Sequence, residues 1–142
     1  MLSDYTSSDT VRAILSLDET ELPDEVLSQP IFETMLLEDL RGISETLVAQ
    51  YNDTAVQPQQ TAAQKRLIRL VRAFSGYSVA RLVMQSLALL ALKKETDARA
   101  GYERFDQPTD DTVSMVNAFY GTAKSNLIEA YNELFTGSPI AT

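Results

Sequence analysis

The chain contains neither cysteine nor histidine. That removes disulfides, thiolate nucleophiles, Ser-His-Asp triads, Cys/His zinc sites and an imidazole proton shuttle together. Di-iron bundles, which need Glu-x-x-His pairs, go with them. The chain has no GxGxxG and no GxxxxGK[ST] segment, so it lacks a glycine loop to cradle phosphates. Long apolar runs are missing too. The longest, Leu87 to Leu92, is far short of the roughly 20 residues a membrane-spanning helix requires. The opening MLSDYTSSDT is acidic and polar, without the basic and apolar regions of a signal peptide. Asn52-Asp53-Thr54 matches the glycosylation triplet, but without a secretory route it reads as a chance match. The expectation is a cytosolic product with no membrane partner and no cofactor.

What is present fits a folded domain. In 142 residues, 44% are hydrophobic and 23% charged, which suits one helical domain over 1–142. The formal net charge of -8 is unevenly spread. Residues 1–60 carry 12 acidic and 2 basic side chains, residues 61–104 carry 9 basic and 3 acidic, and residues 105–142 carry 5 acidic and 1 basic. These blocks either neutralise one another within the fold, or an acidic face of one subunit meets a basic face of the next in a head-to-tail ring. The overall negative charge argues against tight nucleic-acid binding.

The patterning is helical throughout and predicts an all-α, elongated bundle of about four helices. Thr6 to Asp9 has capping-box spacing, and Val11, Ile14 and Leu15 follow on one helical face that ends near Leu17. Asp18 to Asp24 reads as an acidic turn, with Pro23 opening a brief helical turn through Leu27. Pro30 starts a longer helix whose stripe Phe32, Leu36, Leu40, Ile43, Leu47 and Tyr51 advances by three or four residues. Thr54 to Gln60, with Pro58, is a linker. Thr61 caps a long central helix from Ala62 to Leu92, containing Leu67, Leu70, Val71, Phe74 and Leu82. At nearly 50 Å it is longer than a compact globule of this size, under about 40 Å across, so it either kinks at Ser75-Gly76 or projects. Lys93 to Gln107 reads as a loop or short hairpin. Thr109 caps a long C-terminal helix, with Asp110 and Asp111 in its first turn. One stripe of that helix is Val113, Val116, Tyr120, Ala123, Leu127, Ala130 and Leu134; a second is Met115, Phe119, Ile128, Tyr131 and Phe135. Two apolar faces imply two packing partners. Phe74, Leu70, Leu127, Tyr131, Ile43 and Leu47 are the expected core, and residues 136–142 form a tail.

Few residues carry candidate chemistry. The acidic pairs Asp18-Glu19, Asp24-Glu25 and Glu38-Asp39 lack the DxDxDG spacing of a calcium loop and are expected at the surface. Lys65, Arg66, Arg69 and Arg72 fall within two turns, with Lys65, Arg69 and Arg72 on one face. They suit a solvated surface, contact with the acidic face of a neighbouring subunit, or phosphate contacts. Tyr77 and Arg81, four apart, could stack, or form the edge of the core.

Three blocks, read together, resemble a known family. They are DTVRAILSLDETELPDEVLSQPIFETMLLEDL (Asp9 to Leu40), TAAQKRLIRLVRAFSGYSVARLVM (Thr61 to Met84) and ERFDQPTDDTVSMVNAFYGTAKSNLIEAY (Glu103 to Tyr131). Their order and spacing resemble the head–tail connector adaptors of tailed bacteriophages, small helical proteins added beneath the portal ring when the head is completed. The resemblance implies a structural virion protein of the neck, present in the host cytoplasm before assembly. It implies a homododecameric ring of copies bound to the portal above and to a tail, nozzle or stopper protein below, with genomic DNA passing through. It implies no cofactor and no reaction. A predominantly acidic lumen would let DNA slide without sticking. The tail Gly137 to Thr142, with Pro139 and Ile140, is the candidate portal-docking segment, or else a frayed end. The rival reading is a small acidic helical regulator acting on a host or phage protein as monomer or dimer.

Overall fold

A computed structural model describes residues 1–97 and 110–135, the side chains of 87–97 and Asp110 excepted. Among these residues every regular element is helical. After a 3₁₀ turn at Leu2–Asp4 come α1 (Ser8–Leu15), α2 (Asp24–Leu27), α3 (Pro30–Ile43), α4 (Leu47–Ala55), α5 (Ala62–Asp97) and α6 (Asp110–Phe135).

Local chemistry sets the boundaries. The first cap falls one residue later than the Thr6 spacing suggests: Ser7 is extended and its Oγ accepts from the Thr10 amide at 3.1 Å. Thr6 instead lies buried. α1 stops at Ser16, which takes the left-handed conformation (φ 56°) that lets its N–H turn back to Ala13 and Arg12 carbonyls. The acidic turn is held by Asp18, whose Oδ1 accepts from the amides of Thr20 and Glu21, both at 2.9 Å. Pro23 precedes α2 as its cap rather than opening it, and Pro30 occupies the first turn of α3.

The stripe Phe32 to Tyr51 is buried throughout, but on two helices rather than one. Ser44 is extended (φ −159°, ψ 137°) and breaks the chain between α3 and α4. Ser44 Oγ accepts from the Thr46 amide, a local alternative to the helical ladder. The apolar phase survives the break, so both helices present one continuous face. Among the described residues there are six helices, three of them under ten residues long, which refines the count of about four read from periodicity.

α5 opens with a reciprocal cap: the Gln64 amide donates to Thr61 Oγ1 at 3.2 Å and the Thr61 amide to Gln64 Oε1 at 2.8 Å. Its 36 residues make a helix of about 54 Å. It continues unbroken through Ser75-Gly76 and on to Asp97, so the first residues of the presumed loop are helical. The rest of that segment, and the Thr109 cap, lie outside the described residues. Gly76 serves close approach: a Cβ there would meet Thr10 Cγ2 at 3.2 Å and Ile14 Cδ1 at 3.3 Å, both on α1.

The most extensive packing is between α5 and α6, with α1, α3 and α4 also resting on α5. Phe74, Leu67, Val71, Val116, Leu127, Leu40 and Leu47 are completely buried in the shared core. Of the expected core residues only Leu70 remains half-buried. The first α6 stripe faces this core, with Val116, Ala123, Leu127 and Ala130 buried. The second stripe divides. Tyr131 is buried, its hydroxyl bonded to Thr46 at 2.6 Å and accepting from Ser44 at 3.1 Å, which ties α6 to the α3–α4 break. Met115 and Phe119 stay exposed at 44% and 48%.

Candidate interaction surfaces

The basic row on α5 does not act as a unit. Arg66 turns toward α6, reaching Glu133 at 3.2 Å and Glu129 at 3.6 Å. Both carboxylates are largely exposed, so each pair is worth at most about 1 kcal/mol. Arg72 donates to the Asp4 carbonyl at 3.1 Å, closing the 3₁₀ turn onto α5. Lys65 and Arg69 are exposed and have no side-chain partner among the described residues. Asp111 is exposed in the first turn of α6; the Asp110 side chain, Pro139 and Ile140 lie outside the described residues.

Two polar arrangements were not apparent in the sequence. In the first, Arg12 is 7% exposed at its side chain and spends its guanidinium on three acceptors. Its Nε donates to the Leu22 carbonyl at 2.8 Å, one terminal nitrogen reaches Asp9 at 3.1 Å, and the other binds Asp24. Burial works against its charge, but Asp24, with Glu19 and Asp9, more than offsets this and holds the pKa above the ordinary arginine value. The acidic turn is therefore clamped to α1. An arginine three positions after Asp9, between the apolar Val11 and Leu15, was the available signal.

In the second, Asp39 accepts from Ser78 Oγ at 2.5 Å and from the Tyr120 hydroxyl at 3.3 Å, joining α3, α5 and α6. Glu38 stays at the surface with Arg41 at 3.0 Å, so only half of that acidic pair behaves as expected. The Arg81 guanidinium lies 4.0 Å from the Tyr120 ring centre and donates to Asn117 at 3.1 Å. Arg81 therefore stacks across to α6 rather than on Tyr77, and Tyr77 stacks on Phe119 at 5.8 Å between centroids. Burial, followed by the Asp39 charge, raises the Tyr120 pKa, with Arg81 opposing.

Among the described residues no group of three His, Cys, Asp or Glu side chains is placed to hold a metal. A mainly apolar cleft of about 400 Å³ runs between the 3₁₀ turn and the start of α3. Its acids are already engaged, Asp24 by Arg12 and Glu33 by the Met1 ammonium at 2.9 Å. No described helix is long and apolar enough to cross a membrane.

The distribution of ion pairs is more telling. Among the described side chains, acids of residues 1–60 form ion pairs with Arg12, Arg41 and the Met1 ammonium, and the α5 cation Arg66 forms them with α6. Among the described side chains, no ion pair joins the acidic first 60 residues to the basic row of α5. No family model, curated protein or solved structure matches the chain.

Proposed function

We propose that this chain is a structural assembly protein, a head–tail connector adaptor that binds beneath a phage portal as a ring of copies and offers a surface to the tail. The observation that carries the reading is the unspent charge. Among the described side chains no ion pair joins the acidic N-terminal region to the basic row, of which Lys65 and Arg69 stay exposed, and this favours a neighbour that supplies the opposite face. The exposed Met115 and Phe119 on α6 support the same reading, since the second stripe of that helix is only half used inside the fold. The 36-residue α5 gives the subunit the reach that a wall of stacked helices needs.

In this reading the protein belongs to the virion neck, and DNA passes through the ring without sequence-specific contacts. The tail from Gly137, with Pro139 and Ile140, docks on the portal; truncation after Phe135 with attachment unchanged would remove that part. The deciding experiment is mass by light scattering, for the chain alone and mixed with the portal protein of the same genome. A small species alone that joins the portal stoichiometrically supports the adaptor. A monomer or dimer that ignores the portal at several salt concentrations would move the assignment to an acidic regulator of another protein.

A further inference from the structure

The charge left unspent by the fold is arranged in register with apolar side chains, on two different surfaces. On α5, Lys65, Arg69, Ala73 and Tyr77 follow one another at four-residue spacing, which makes them one ridge of the helix. The first three are exposed and Tyr77 is half-buried. Tyr77 stacks on Phe119, and Met115 lies one turn further along α6. The surface thus runs from cationic at Lys65 and Arg69, through the small Ala73, to apolar at Phe119 and Met115.

The outer face of α3 runs in the complementary order. Ile31 and Met35 are 54% and 42% exposed, Gly42 has open space above it, and Glu45 is exposed with no side-chain partner among the described residues. Ile31, Met35, Glu38 and Gly42 repeat every three or four residues and share one stripe of α3, and Glu45, past the Ser44 break, adjoins its end beside Glu38, Arg41 and Gly42 around one shallow depression. Glu38, between them, is already held by Arg41. From Ile31 to Gly42 the stripe spans about 17 Å, with Glu45 just beyond it, and from Lys65 to Tyr77 the α5 ridge spans about 18 Å, with Phe119 continuing it.

We infer that the α5–α6 surface of one copy docks on the α3 face of a second copy, Phe119 and Met115 against Ile31 and Met35, and Arg69 with Lys65 against Glu45. Aligned in parallel on itself, the α5 ridge would set cations against cations. Each stripe is matched in charge order and length by the other. Two unlike surfaces make the contact heterologous, so it propagates from copy to copy and closes as a ring when the rotation allows. The inference rests on the adaptor reading for its closure, and it names which faces meet.

The absence of cysteine makes the test clean. A Met35→Cys chain and a Phe119→Cys chain, both at exposed positions, are mixed at ~100 µM under mild oxidation, free and with portal present. Random collision yields mixed dimers and self-linked dimers in roughly equal total amounts; the docking predicts mixed dimers in about tenfold excess. Adding Arg69→Glu to the Phe119→Cys chain should lower the mixed yield by about tenfold, and adding Glu45→Arg to the Met35→Cys chain should restore it. Self-linked dimers at the collision ratio, no mixed dimer in either condition, or no rescue by the charge swap would each overturn the docking. Portal binding by the unsubstituted chain is scored separately. A mixed dimer without portal binding keeps the docking and removes the adaptor; portal binding without the mixed dimer does the reverse.

Discussion

Two helical glycines in unlike surroundings provide a sharp check on how the helices sit. Gly76, in the middle of α5, lies under α1, where an added Cβ would come within 3.2 Å of Thr10 Cγ2, 3.3 Å of Ile14 Cδ1 and 3.4 Å of Thr6 Oγ1. Gly121, in α6, would meet nothing within 4 Å. Both should gain about 1 kcal/mol of helix propensity from Gly→Ala. Gly121→Ala keeps that gain, and its stability should rise by about 0.5–1 kcal/mol. At Gly76 the neighbours must yield. Ile14 Cδ1 is a flexible tip, but the Thr10 side chain is fixed by its 2.8 Å bond to Ser7 Oγ, so Gly76→Ala should be close to neutral. Gly76→Val adds two methyls to a site already in contact and overpacks it, at a net cost of about 2 kcal/mol. Urea unfolding followed by helical circular dichroism measures all three on one scale. The rank order should be Gly121→Ala above the parent chain and Gly76→Val well below it. Shortening Ile14 to Val should recover part of the Gly76→Val loss, because the two sites touch. A Gly76→Val chain as stable as the parent would mean that α1 does not cross α5 at this residue.

Other expected outcomes concern the core, the buried arginine and the tyrosines. Leu127 is fully buried, so Leu127→Ala should cost about 2–5 kcal/mol in the same assay; a loss under about 1 kcal/mol would show that α6 packs through a different face. Arg12→Ala leaves the Leu22 carbonyl, Asp9 and Asp24 without their common donor and should cost about 2 kcal/mol, and Arg12→Lys should recover little, since an ammonium cannot reproduce the planar fork. Burial raises the phenol pKa of Tyr5 and Tyr120 above the ordinary 10.0. The folded chain therefore holds these protons more tightly than the unfolded one, and the associated stability is complete below pH 10 and lost as pH rises through the folded values. Phenolate absorbance should show two late-titrating groups, one lost in Tyr120→Phe and the other in Tyr5→Phe; a single step at the ordinary pKa for all six tyrosines would contradict the burial.

How far the fold was legible depended on whether its cause was local. Apolar period places Phe32, Leu36, Leu40, Leu47 and Leu127 correctly because each faces a core that any helical packing must build. The same period hides the α3–α4 break: the phase carries across Ser44, and only Ser44 and Thr46, weaker helix formers on either side of Glu45, hinted at it. The Thr61 cap was readable because its partner, Gln64, is three residues away. Asp39 was not, because its partners Ser78 and Tyr120 lie 39 and 81 residues along the chain. Charge segregation was plain in the sequence, but whether the blocks neutralise one another is a question of distance, and only the arrangement of helices answers it.

The position of α5 has a consequence for how the molecule breathes. With α1, α3, α4 and α6 all packed on it, the stretch from Phe74 to Ala80 is buried at every position except the half-buried Tyr77. Its amides can reach solvent only when the enclosing helices leave together, so their deuterium uptake reports the opening of the whole domain. The acidic turn after Ser16 is held both by the Arg12 fork and by Leu22, which is buried in the same core. The slowest exchange in the molecule is therefore expected at the centre of α5, and a variant that destabilises the whole domain should speed it in proportion.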